Sequence, residues 1–184
     1  MKNLCLLVKD GEFWGLDSYD PPVTRDTRVV KSSLAVSAQN NIQIVNQFGA
    51  ANRDASTLVI ISHGLEFDDG SPIGGAFYFG NRTILAASGI AKLRSWRPYF
   101  NDLIIVGCAV AATTKPFRLD SGMLSGNGPS FCQTLADQLV VTVHASTKDM
   151  RLHAWNTPDT GDDVMEWVSF IKAAGKHVAF SPRY

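Results

Sequence analysis

Four short apolar segments recur along the chain at residues 3–8, 57–62, 103–106 and 140–145, and the first three do not alternate with polar residues. Such runs are strands buried on both faces, which requires a parallel sheet with helices on either side. The segments between them supply the helices. From Ser33, the residues Leu34, Ala38, Ile42, Val45 and Phe48 fall at spacings of four, four, three and three, one apolar face of a helix that Gly49 can end. Gly128-Pro129 opens another, with Phe131, Leu135 and Leu139 as its stripe. Residues 159–163 are an acidic helix start, followed by Val164, Trp167, Val168 and Ile171 and ended by Gly175. The spacing also predicts a helix from Asn81 or Thr83 to Trp96, although Ser88-Gly89 is poor helix sequence. Residues 177–180 read as a last strand. The alternation predicts an α/β fold, a three-layer α/β/α sandwich around a mostly parallel sheet. At 184 residues, 45% apolar and 18% charged, the chain suits one domain over 1–184.

Three segments lack helical or strand periodicity. Residues 11–26, with Pro21-Pro22, read as loop. Residues 64–80, with glycines at 64, 70, 74, 75 and 80 around Ala76-Phe77-Tyr78-Phe79, read as a hairpin or flap rather than core. Residues 113–127 read as a functional loop.

Seventeen basic and seventeen acidic residues cancel, so neither a nucleic-acid backbone nor an anionic membrane is expected as partner. Cys5, Cys108 and Cys132 are an odd number without a CxxC pair, which excludes a zinc ribbon and argues against a disulfide scaffold. His153 and His177 have no metal-ligand spacing, and no metal or cofactor is expected. The longest apolar stretch, residues 103–112, is half of the ~20 residues a membrane helix needs, and the N-terminal run is too short for a signal core. The expected setting is the cytoplasm, with room for delivery into a target cell without a cleavable signal.

In open parallel sheets, ligands bind beyond the carboxyl ends of the strands. The second run ends Ile61-Ser62-His63-Gly64 and the third ends Val106-Gly107-Cys108, so a His and a Cys emerge at that edge. A right-handed crossover would make these strands neighbours. An imidazole beside a thiol can take its proton and make Cys108 an acylating nucleophile. Gly64, lacking a side chain, and Cys108 can each turn a backbone N–H to a tetrahedral oxyanion. The plain alternative is that Cys108 is a buried small residue and His63 a rim residue.

A strand ending in His63-Gly64, then 45 residues on a hydrophobic strand ending in Gly107-Cys108, resembles the caspase-like cysteine peptidases: caspases, metacaspases, legumain, separase and the bacterial peptidases and CHAT domains related to them. Residues 75–80 resemble the hairpin after the His-Gly, 131–136 the helix after the catalytic loop, and 141–148 the strand beyond it. The resemblance implies His63 as general base and acid, Cys108 as nucleophile, the Gly64 and Cys108 N–H groups as oxyanion hole, and a protein or peptide substrate. Lacking the caspase pentapeptide, the chain does not inherit specificity for Asp, and the sequence marks no obvious third group to orient His63, although such domains often work as a dyad. Residues 145–149 resemble the metacaspase segment that lines a pocket for Arg or Lys, which implies Asp149 as the substrate-binding acid; Asp68, Asp69 and Asp120 are the other acidic neighbours. Self-cleavage after Lys115 or Arg118 is a further expectation. Two rival readings are a thiol-dependent acyl or amide hydrolase acting as an effector or toxin, and a non-catalytic binding module with the flap aromatics exposed.

Other candidates have structural readings. His144 lies on a strand face opposite Val141, Val143 and Ala145. Gly126-Asn127-Gly128 is a helix-opening turn rather than a phosphate loop. Cys5 and Cys132 read as core thiols, and Trp14, Trp155 and Trp167 as core or interface. Asn81-Arg82-Thr83 matches a glycosylation acceptor that is inert without secretion.

Overall fold

A computed structural model describes residues 4–10, 27–32, 37–52, 55–80, 83–119, 124–150 and 164–183. The main sheet has six strands: β1 (Leu4–Asp10), β2 (Thr27–Ser32), β3 (Ala55–Ile61), β7 (Asp102–Val106), β10 (Thr142–Ser146) and β11 (His177–Phe180). Their order is β11-β10-β7-β3-β1-β2. Every neighbouring pair is parallel except β10 with β11. The chain is therefore mixed α/β with a mostly parallel central sheet. Among the described residues, no helix is long and apolar enough to cross a membrane.

The unbroken apolar runs have the cause expected of them. In β3, Leu58 and Ile60 face one core and Val59 and Ile61 the other; in β7, Leu103 and Ile105 divide from Ile104 and Val106 in the same way. The first core is closed by α1 (Ala38–Ala51), by a 3-10 helix (Ala87–Trp96) and by α2 (Gly128–Leu139). The second is closed by α3 (Val164–Ala174) through Trp167, Phe170 and Ile171. Full burial of each such side chain stabilises by about 1.5–3 kcal/mol, so both faces of the sheet are fixed.

Helix starts follow local chemistry. The Ser37 side chain accepts the Asn40 N–H at 3.2 Å and caps α1, which begins four residues later than its apolar spacing suggests; Leu34 lies outside the described residues. Asn127 caps α2 by accepting the Ser130 N–H at 3.0 Å, with Pro129 in the first turn.

Four sequence expectations change. Residues 27–32 form an edge strand, β2, where no element was expected, because its arginine and lysine interrupt the apolar run. The region 83–96 opens with a strand, β6 (Ile84–Ala86), before its 3-10 helix, and Ser88-Gly89 sit where a regular helix would be weakest. The expected loop at 113–127 holds a hairpin, β8 (Thr113–Arg118) with β9 (Leu124–Asn127). A register shift between Thr113 and Phe117, together with Pro116, erases its alternation.

The fourth concerns the flap. Strands β4 (Gly64–Glu66), β5 (Pro72–Tyr78) and β6 form an antiparallel sheet, but Ile73, Ala76, Phe77 and Phe79 are buried. Phe77 meets Phe131 of α2 edge-on at 6.2 Å, and Ile73 joins Leu65 and Leu119 in a third cluster. A helix on one side and the β8–β9 hairpin on the other make this glycine-rich segment core.

Candidate active site

Strands β3 and β7 are adjacent and parallel, with Thr57 opposite Asp102 and Ile61 opposite Val106, an offset of 45 residues throughout. His63 and Cys108 are separated by the same 45, so each stands two residues beyond the last paired rung. The last rung is closed by the Ser62 N–H, which donates to the Val106 carbonyl at 3.0 Å. A Cβ on Gly64 would lie 2.3 Å from the Cys108 carbonyl oxygen and 3.2 Å from the Cys108 Cβ, so only glycine permits this approach. Gly107 meets the Ser62 carbonyl oxygen in the same way, at 3.1 Å.

The backbone around both residues is fixed. The Tyr78 N–H donates to the His63 carbonyl at 3.1 Å, which makes Gly64 and Phe77 a non-hydrogen-bonded pair; the Gly64 N–H is therefore not spent on Phe77. The Ser62 hydroxyl donates to the Tyr78 carbonyl. Beyond Cys108 the chain turns sharply, and Ala109 takes a left-handed φ of 50° that costs a non-glycine residue about 1 kcal/mol. Two bonds hold it: the Ala109 N–H donates to the Lys148 carbonyl and the Ala112 N–H to the Ala109 carbonyl, at 2.9 and 2.8 Å. The flap clamps the same turn, with the Gly75 N–H on the Val110 carbonyl at 2.9 Å.

The Cys108 thiol is free and half-buried. Its sulfur accepts the Met150 N–H at 3.4 Å. Burial pushes this thiol up, the Met150 N–H opposes the shift, and the carboxylates of Asp149 and Glu66 add to it. The balance favours the thiol over the thiolate. Asp149, the acid implied by the resemblance, is exposed and acts on the sulfur, as does Glu66 at the end of β4, which sequence reasoning missed. Nothing in the sequence marks Glu66; the β4–β5 hairpin brings it to the thiol.

The other acids fare differently. Asp69 shapes its own turn, accepting the Ser71 N–H at 2.9 Å and hydroxyl at 2.5 Å, and these bonds lower its carboxyl. Asp68 is exposed in the same turn. Asp120 lies outside the described residues, as do the side chain of Cys5, Asn81, Arg82, His153, Trp14, Trp155 and residues 159–163. Cys132 is buried and its thiol is pushed up to about 12. Trp167 is core. Lys115 and Arg118 belong to β8 and are not in a loop. Of the flap aromatics, Phe77 and Phe79 are buried and Phe67 and Tyr78 are half-buried.

His144 does lie on a strand face, but with company. Its Nε2 is 3.2 Å from Asp102 Oδ1, and its Nδ1 is 3.0 Å from His177 Nε2, with ring centroids 5.3 Å apart and end to end. Burial, His144 and Lys172 lower the His177 pKa. Among the described residues no group of three His, Cys, Asp or Glu is disposed to hold a metal ion. No protein-family model, no curated protein and no solved structure matches this chain.

Proposed function

We propose that the chain is a cysteine peptidase of caspase-like fold that cleaves a protein substrate through a Cys108 acyl-enzyme. The observation that carries this reading is the common level of His63 and Cys108 at the carboxyl edge of adjacent parallel strands. The hairpin after His63-Gly64, helix α2 and strand β10 follow in the order the resemblance implies. Because the thiol is favoured over the thiolate, its proton leaves during attack: the sulfur–carbon bond forms as His63 takes the proton. The carbonyl electron pair moves onto oxygen, towards the Gly64 and Cys108 N–H groups. The carbon–nitrogen bond then breaks, the departing amine takes the proton from His63, and a thioester remains. Water attacks the thioester with His63 as base, releasing the acid and restoring the thiol. Asp149, with Glu66, favours Arg or Lys on the acyl side of the cleaved bond.

Replacing Cys108 by Ala is expected to abolish cleavage of a mixed peptide library while leaving the thermal midpoint within a few degrees. Cleavage at the wild-type rate in that variant would sink the assignment. Self-cleavage at Lys115 or Arg118 requires β8 to separate from β9 first, so intact mass is expected to stay constant over prolonged incubation. The upward-shifted thiol is the one observation that favours a second reading, a non-catalytic module that keeps the sheet without the activity. An electrophilic peptide with Arg at its reactive end separates the two, since it labels Cys108 only if the site binds and orients it.

A further inference from the structure

We infer that Ser146 is a positioning residue for Cys108, setting the Met150 N–H against the sulfur through the turn that carries Lys148 and Asp149. The inference deepens the peptidase reading, and it rests on that reading only for its effect on turnover. Ser146 ends β10 and is completely buried. Its hydroxyl oxygen accepts the Lys148 N–H at 3.1 Å and the Lys176 N–H at 3.1 Å, and donates to the Lys148 carbonyl at 2.8 Å. A buried hydroxyl with three partners fixes all of them, because losing it strands two N–H groups.

The chain beyond Ser146 runs antiparallel to the nucleophile turn. The Ala111 N–H donates to the Ser146 carbonyl and the Ala109 N–H to the Lys148 carbonyl, both at 2.9 Å, and the next contact along this line is the Met150 N–H on the Cys108 sulfur at 3.4 Å. Lys148 is thus held from two sides, by the Ser146 hydroxyl and by Ala109, and the Met150 peptide follows two residues later. Lys176 ties the hub to the junction between α3 and β11, where a Cβ on Gly175 would lie 2.3 Å from the Ser146 Oγ. The Met150 N–H is a bond that favours the thiolate over the thiol. Removing the hub should loosen that bond without altering the Cys108 or His63 side chain.

The test is the pH profile of Cys108 alkylation by iodoacetamide, mapped to the residue by mass spectrometry, in the full chain. Ser146→Ala is expected to move the profile to higher pH and slow alkylation at pH 7 by about tenfold, the change that one pKa unit gives a mostly protonated thiol. Ser146→Thr, which keeps the hydroxyl, should restore the profile. A folded Ser146→Ala with the wild-type profile overturns the inference. If Ser146→Ala does not fold, Ser146→Cys keeps the shape with a weaker acceptor, and an unshifted profile in it overturns the inference equally. The measurement needs no substrate, so it stands or falls separately from Cys108→Ala, which tests the peptidase reading itself.

Discussion

Cys108 and Cys132 are two free thiols on the same side of the chain's midpoint, and burial shifts both upward, yet their surroundings differ in kind. Cys132 sits inside α2 among Phe131, Leu135 and Ala136, and burial alone accounts for its position near 12. Cys108 stands at a strand end with a backbone N–H on its sulfur and two carboxylates acting on it, all of which can change when a ligand arrives. A thiol shifted by packing alone is inert, whereas one on which a hydrogen bond and neighbouring charges also act can be tuned.

The largest effect that can break the contrast is on turnover. Cys108→Ala should remove all cleavage, while Cys132→Ala should leave it intact and lower stability by about 1 kcal/mol, read by denaturant unfolding. Next comes alkylation across pH. Between pH 7 and 9 the rate at Cys108 should climb roughly tenfold per unit until its pKa is reached, while Cys132 stays unmodified until the protein unfolds. Equal rates at the two residues in the native protein would erase the distinction. A smaller change is expected at the acids. Asp149→Asn and Glu66→Gln each remove a like charge from the thiolate, so alkylation at pH 7 should quicken a few-fold. If Asp149 also binds the substrate, cleavage after Arg or Lys should fall in the same variant; both rates rising together would deny it that role. The smallest effect is confined to the Cys132 helix. Val140 ends α2 in the left-handed region, with φ 57°, so Val140→Gly should stabilise by about 1 kcal/mol and raise the midpoint by about 2–4 °C. The alkylation profile of Cys108 should not move.

What could be read from the sequence was whatever a single strand or helix encodes locally. Unbroken apolar runs marked β3 and β7, an alternating one marked β10, and the strand-end rule then pointed to His63 and Cys108. The edge strand β2 escaped because an edge needs charge, which breaks the run. The β8–β9 hairpin escaped because its bulge destroys the two-residue period. Glu66 and Ser146 carry no local mark at all: one acts on a sulfur 42 residues away, and the other is defined by N–H groups 2 and 30 residues distant. The buried aromatics of the flap misled for a related reason, since glycine-rich sequence suggests exposure until the elements that cover it are known.

The spacing between His63 and Cys108 is, in itself, incidental. Their alignment is set by two equal overhangs past the last rung of the β3–β7 ladder, and the number of residues between the strands does not enter into it. Extra residues placed in an exposed turn such as 68–70 would lengthen the interval and leave the two residues level at the strand ends. One residue added between Val106 and Cys108 would instead carry the thiol past its partner. The geometry of this site is therefore robust to growth of the chain between the two strands, and brittle to a single step at either strand's end.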